Sequence, residues 1–330
     1  MTRSVRPPTL LASHRKLRVG SKEIALFSGS VQYFRLQRRN WRRYLAEVHA
    51  LGFSIIETYV PWRTHEQPNG EFDFGQTDPN LDLGAFLDLI HELGLYAIVR
   101  PGPHINSEMT AFGLPDRVLL DRDCQARGPD GQAVVQFFPP RMFPIPSYFS
   151  KAFVQEVDRW LGEVAKVVAP RVAPQGPVVM VQVDNEAAYY FRDGVYEQDY
   201  HPDAVAAYQD FLQKKYTTIT RCNLAYDRTA ESFAEVTPPL AFRGHKDRLA
   251  IHLDWAEFRE HGLIAALTQM QRALQSSGLS NAIMSHNAPL GELGSALSVG
   301  RLSKEIAVVG MDFYHRRTEH DRIRRRATFL

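Results

Sequence analysis

From Trp41 onward the apolar residues fall at Trp41, Tyr44, Leu45, Val48 and Leu51, a spacing that places them on one face of a helix. Gly52 ends that helix. The following run, Phe53 to Val60, is rich in β-branched and aromatic residues and predicts a buried strand. Almost the same unit recurs: Leu83, Phe86, Leu87, Ile90 and Leu93 repeat the helical spacing, Gly94 closes it, and Leu95 to Val99 is apolar again. The junctions His49-Ala-Leu-Gly-Phe53 and His91-Glu-Leu-Gly-Leu95 are near copies. A recurring order of helix, glycine and buried strand predicts a parallel sheet built from βα units.

The same reading places six strands, at Ile24 to Val31, Phe53 to Val60, Leu95 to Val99, Val178 to Val183, Ala282 to Ser285 and Ala307 to Met311. Further helices are expected around Phe153 to Val164, Ala204 to Tyr216 and Trp255 to Leu274, and one from about Glu319. Leu114 to Ser147 and Thr217 to Gly244 read as mostly irregular. A closed (β/α)₈ barrel needs two more strands than the sequence offers. The expectation is therefore a TIM barrel with about six βα units present, residues 1–23 forming an N-terminal extension and residues 24–330 a barrel domain truncated before strand seven. An open six-stranded sheet is the alternative.

Composition narrows the partners. Of 330 residues, 44% are hydrophobic and 23% charged, which excludes a disordered or collagen-like chain. Lys and Arg number 39 against 37 Asp and Glu, so no overall field draws the protein to nucleic acid or anionic lipid. The arginines at 38, 39, 42 and 43 lie on the polar side of the first helix, and those from Arg316 to Arg326 are interleaved with Glu319 and Asp321, the pattern of solvated faces. Cys124 and Cys222 lie far apart in segments read as loop or loop edge, so neither a disulfide framework nor a zinc site follows. No stretch has the length of a membrane span, and the basic N-terminus lacks the apolar core of a secretory signal. A cytoplasmic protein is expected.

In parallel α/β folds, ligands gather at the C-terminal ends of strands. Here those ends are polar. They carry Gln32, Tyr33 and Arg35; Glu57, Tyr59, Trp62, His65 and Glu66; Arg100, His104, Asn106 and Glu108; and Asp312 with Tyr314. The fourth end is the sharpest, since Val178-Val-Met-Val-Gln-Val-Asp-Asn-Glu186 passes from pure hydrophobe to two carboxyls and an amide. Carboxyls and aromatics with few cations, and no glycine-rich phosphate loop, suit a neutral polyhydroxylated ligand such as a sugar. Cleaving a glycosidic bond needs one carboxylic acid to protonate the leaving oxygen and a second carboxylate as nucleophile or base. Glu186 is the natural acid candidate. His65, His104, His286 and His315 show no ligand spacing for a metal, and no cofactor is implied.

Gly29-Ser-Val-Gln-Tyr-Phe-Arg35, Ile56-Glu-Thr-Tyr-Val-Pro-Trp62, His65-Glu66, Arg100-Pro-Gly-Pro-His104, Glu108, Gly113-Leu-Pro115 and Val181-Gln-Val-Asp-Asn-Glu186 together resemble the β-galactosidases of glycoside hydrolase family 35 over roughly residues 24 to 190. Beyond them, Tyr208 to Tyr216 and Asn223-Leu-Ala-Tyr226 look more like family 42. Both families are retaining (β/α)₈ barrels. The resemblance implies Glu186 as general acid/base and Asn185 as a contact to the sugar 2-hydroxyl. It further implies Tyr59, Asn106 and Glu108 as pocket residues, joined by Tyr33 and Tyr314. It also implies a nucleophilic Glu at the end of strand seven, beyond residue 330. Where family 35 usually reads Cys-Ala before the pocket glutamate, this sequence has Asn106-Ser107; the cysteine metal cluster of many family 42 members is absent.

The substrate implied is a β-galactoside or oligosaccharide, with a homo-oligomer possible, and the 330-residue chain alone is expected to be inactive. A clan relative with other specificity, such as a β-glucosaminidase or endo-glycanase, and a non-catalytic carbohydrate-binding protein are the alternatives. Glu57 has a competing structural role as a bridge to Arg35 or Arg100. Tyr59 and Trp62 have one as core aromatics.

Overall fold

Six parallel strands in strictly sequential order form the frame that positions everything else. The structure is a computed structural model and describes residues 9–11, 16–244, 249–289, 296–312 and 314. Strands β1 (Thr9–Leu11), β2 (Lys16–Val19) and β3 (Lys22–Ala25) make a small antiparallel sheet. The main sheet follows, from β4 (Ser28–Ser30) through β5 (Ile55–Tyr59) to β6 (Tyr96–Arg100). A hairpin of β7 (Val135–Phe138) and β8 (Arg141–Pro144) stands apart, and the main sheet continues with β9 (Val178–Gln182), β10 (Ile283–Ala288) and β11 (Val308–Met311). Its order is β11-β10-β9-β6-β5-β4, and every pairing is parallel. Among the described residues nothing pairs with the outer edge of β4 or of β11. The sheet is an incomplete TIM barrel, as the sequence leads one to expect.

The connecting helices are α1 (Trp41–Ala50), the single turn α2 (Trp62–His65), α3 (Leu83–Glu92), the short α4 (Asp116–Leu120) and α5 (Lys151–Val168). After β9 come α6 (Pro202–Tyr216), α7 (Ile219–Tyr226), α8 (Leu249–Leu274) and α9 (Val299–Leu302). Asp82 caps α3 by accepting from the Ala85 N–H at 2.8 Å, and Ser150 caps α5 through Phe153 N–H at 3.1 Å. On the solvent side of α1, Arg38 meets Asp82 at 2.8 Å and Arg42 meets Glu92 at 2.7 Å.

Strand alternation sorts the side chains. Ile56 and Val60, Ala97 and Val99, Val181 and Val183, and Met284 and Ala288 join one core with Trp41, Leu45, Phe86, Leu87, Phe153, Trp160 and Leu161 of the helices. Their neighbours Ile55, Ile98, Met180 and Ile283 fill the other face, where Leu17 and Ile24 of the small sheet pack against them. That hydrophobic plug closes the N-terminal end of the sheet's inner face. Further along the same face, the inward positions turn polar: Glu57, Tyr59, Arg100, Gln182 and Asn287.

Three local expectations need correction. The single strand from Ile24 to Val31 is two, because the chain leaves the small sheet at Ala25 and enters the barrel only at Ser28. Phe27 between them stacks on Phe53 at 4.5 Å, and a Cβ at Gly29 would stand 2.8 Å from Val48. Leu114 to Ser147 holds the β7–β8 hairpin and α4, and Thr217 to Gly244 holds α7, which buries Cys222 in a separate cluster with Tyr208, Tyr226, Trp255 and Phe258. The fifth barrel strand runs on past Ser285 to Ala288. The helix expected from Glu319 lies outside the described residues.

Candidate active site

Glu186 sits four residues beyond the end of β9, buried to 4% exposure at the polar end of the inner face. The loop that carries it is tied down from three sides. The Glu186 N–H donates to the backbone carbonyl of Asn287 at 3.1 Å and to its Oδ1 at 3.2 Å. Asp184 accepts from the His104 N–H at 2.9 Å and from the Tyr148 hydroxyl at 2.7 Å. The His286 ring accepts from the Ala187 N–H at 3.4 Å and donates through Nδ1 to the Val183 carbonyl at 2.7 Å, which fixes a neutral imidazole; burial lowers its pKa to about 4. Asp184 (φ 53°) and Glu186 (φ 43°) take the left-handed backbone conformation. For a glutamate that conformation is strained by about 1–3 kcal/mol and persists only where surrounding bonds over-determine it.

The side chain of Glu186 is met by donors and by one carboxyl. Asn106 Nδ2 donates to Oε2 at 3.3 Å, Asn185 Nδ2 to the same oxygen at 3.5 Å, and the Tyr314 hydroxyl to Oε1 at 3.5 Å. Burial first, then a hydrogen bond with Asp312 and its charge, push the Glu186 carboxyl up to about 7. That is where a group that must give and later take a proton near neutrality works best.

Asn185 is the meeting point of the neighbouring strands. Its Oδ1 accepts from Arg100 Nη2 at 2.6 Å, from Asn287 Nδ2 at 3.0 Å and from the Tyr59 hydroxyl at 3.2 Å. Arg100 also bonds Glu57 at 2.6 Å and lies 4.1 Å from the Tyr59 ring centroid. Glu57 thus takes the bridging role to Arg100. The structure therefore brings Tyr59, Asn106, Asn185, Glu186 and Tyr314 into one cluster. Glu108 is exposed on the same rim, and its charge helps raise the Tyr314 phenol to about 12, a shift whose main cause is desolvation.

Tyr33 is not in the cluster. It is fully buried, T-shaped against Trp41, with its hydroxyl donating to His65 Nε2 at 2.5 Å. Its hydroxyl is already used and out of reach of a ligand. Trp62 is likewise core, stacked on Trp160 at 5.8 Å, and Glu66 is held by Arg117 at 2.6 Å. Sequence reasoning missed Gln182 and Asn287 as site residues. It named Asp312 as a strand end without linking it to Glu186.

Asp184 supplies a pH test. Burial raises its carboxyl to about 7 in the folded chain, against an ordinary value near 4 when unfolded. Its contribution to stability is therefore present below about pH 4 and is lost as pH rises through about 7. Relative to Asp184→Asn, the chain should lose stability between about pH 4 and about pH 7 in urea denaturation. A difference between the two proteins that does not change with pH would contradict this environment for Asp184.

Comparison with known proteins bears on what the cluster belongs to. Residues 16–135 match the family described as "Glycosyl hydrolases family 35". Over that span the chain is similar to glycosyl hydrolase family 35. The curated relatives carry names that differ in substrate. "Beta-galactosidase-1-like protein 3" of Homo sapiens is 36% identical over 52% of this chain and 23% of its own length. "Beta-1,2-glucosyltransferase" of Ignavibacterium album is 28% identical over 80% of this chain and 36% of its own. "Exo-beta-D-glucosaminidase" of Pyrococcus horikoshii is 29% identical over 72% of this chain and 30% of its own. The chain thus spans about a quarter to a third of the length of the curated relatives it matches. Among solved structures, a β-galactosidase from Halorubrum lacusprofundi superposes with a TM-score of 0.68 at 20% identity, covering 87% of this chain and 40% of that one, a likeness of fold. Among the described residues, no helix is long and apolar enough to cross a membrane, and no group of three or more His, Cys, Asp or Glu could hold a metal ion.

Proposed function

We propose that the protein is a retaining β-glycosidase acting on terminal β-galactosyl residues, with Glu186 as general acid/base and the nucleophile a carboxylate from a seventh strand, beyond residue 330. The observation that carries the reading is Glu186 itself: a carboxyl buried past the C-terminal end of the fourth barrel strand, where Asn106 and Tyr314 meet it and burial pushes it up to about 7. In the first step Glu186 gives its proton to the glycosidic oxygen as the nucleophile attacks the anomeric carbon and the aglycone leaves. In the second, the resulting carboxylate takes a proton from water as the water's oxygen displaces the nucleophile from the same carbon. Asn185, fixed by Arg100, Tyr59 and Asn287, is placed to bond a ring hydroxyl. Asn106 and Glu108 line the rim beside it.

Hydrolysis of aryl β-galactoside, β-glucoside, β-glucosaminide and α-galactoside tests the substrate. The 330-residue chain is expected to turn over none of them. Extended by the next two βα units, it should hydrolyse the β-galactoside fastest and the α-anomer not at all. A clear preference for the β-glucosaminide would replace the galactosyl reading with the activity named for the Pyrococcus horikoshii relative. Hydrolysis of the α-anomer would overturn the mechanism.

A further inference from the structure

The residues at the rim are held by one side chain that the roles assigned so far do not use. Asn287 lies on β10, the strand between β9 and β11, and so its side chain can reach both the loop that follows β9 and the end of β11. It does both. Its Oδ1 accepts from Gln182 Nε2 at 2.8 Å and from the Glu186 N–H at 3.2 Å, while its Nδ2 donates to Asn185 Oδ1 at 3.0 Å and to Asp312 Oδ2 at 2.7 Å. Only a carboxamide offers two acceptor sites and two donors in one plane, and here all four are filled. Buried to 7% exposure, it ties the loop after β9 to the end of β11.

Asp312 is the second half of the arrangement. Its backbone N–H donates to the Ala288 carbonyl at 3.1 Å, and its carboxyl accepts from Asn287 Nδ2 at 2.7 Å, which holds it beside the carboxyl of Glu186. Arg100, the nearest cation, is committed to Glu57 and Asn185 at 2.6 Å each. We propose that Asn287 is a positioning residue for the acid: it locks the Glu186 backbone and holds the Asp312 carboxyl beside that of Glu186. This inference rests on the acid/base reading of Glu186 and adds which side chain sets the position of that group and of its neighbouring carboxyl.

The other titratable or charged groups around Glu186 are Tyr59 on β5, Arg100 at the end of β6, Glu108 in the loop beyond it, His286 on β10, and Tyr314 past β11. His286 is neutral and the phenols stay protonated near neutrality, so Asp312 is the group whose removal should be felt. The test is a carbon-13 NMR titration of the 330-residue chain labelled at glutamate Cδ, with Glu186→Gln to assign the resonance. Asp312→Asn should lower the Glu186 midpoint by about one pH unit or more. Asn287→Ser should lower it too, by freeing Asp312 to turn away, whereas Asn287→Asp should raise it by adding a third carboxyl. Opposite shifts from two substitutions at one position are not what a loss of folding produces. The Asp312→Asn variant, at a strand end, also keeps the test open if Asn287 proves essential to folding. A midpoint unmoved by Asp312→Asn, or moved alike by both Asn287 variants, overturns the proposal. Because the midpoint is read without turnover, that failure is distinct from failure of the acid/base reading, which Glu186→Gln kinetics decide.

Discussion

In a polypeptide that extends this chain by two further βα units, replacing Glu186 by Gln should lower kcat/KM for a β-galactoside with a poor leaving group by about 10²–10⁴-fold, the usual contribution of a positioned acid/base. The isosteric amide keeps the shape and one acceptor oxygen, enough for the bond that Asn106 donates at 3.3 Å, but has no acidic proton to give. An aryl galactoside whose leaving group departs unaided needs no acid in the first step, so formation of the glycosyl intermediate from it should be slowed far less. Kinetics across a series of phenols of graded acidity measure this split. Equal losses for good and poor leaving groups would mean that the substitution had disturbed binding instead, and an unaltered rate would remove Glu186 from the reaction.

Trp160→Ala should be the most destabilising single change in the helical layer that supports the site, by about 3–5 kcal/mol. Trp160 projects from α5 with no exposed surface, stacks on Trp62 at 5.8 Å and on Phe74 at 6.2 Å, and contacts Phe72 at 5.5 Å. Its indole N–H donates to the Pro101 carbonyl at 2.8 Å. Truncation opens a cavity among three aromatic rings and leaves that buried carbonyl unpaired. Pro101 follows Arg100, so the corner that aims Arg100 at Asn185 should loosen as well. Urea denaturation reads the loss directly. Trp160→Phe fills much of the cavity and should recover part of the stability but not the bond to Pro101. A loss under about 1 kcal/mol for the alanine variant would show that the cluster relaxes around the gap.

Much of the frame is visible in the sequence because its signals are local. The 3.6-residue spacing over α1 and α3, the glycines after each and the apolar runs of β5, β6 and β9 act within one short window. Glu186 stands out for the same reason, as a carboxyl directly following a pure hydrophobic strand. What escapes depends on pairing with distant residues. Strand β4 is separate from β3 because Gly29 must pass against Val48 and Phe53 of another unit. The β7–β8 hairpin pairs Val135 with Pro144 inside a stretch rich in proline and glycine, where no periodicity marks a strand. Asn287 is hidden because β10 turns polar at Ser285-His-Asn, so the pattern predicts an end where the strand continues between two neighbours. Tyr33 errs in the opposite direction. Its place near a strand end suggests a rim residue, but the short turn of Tyr33–Arg35 rotates it back under α1 to His65.

The central claim is that position 186 carries a proton near neutrality because it is buried beside a second carboxyl. The most direct measurement is the carbon-13 titration of its Cδ in the unmodified chain. A midpoint close to 7, absent from the Glu186→Gln spectrum, is the predicted result. A midpoint near the ordinary glutamate value of about 4.3 would contradict the account, since a carboxyl already ionised at neutral pH has no proton to hand to a leaving sugar.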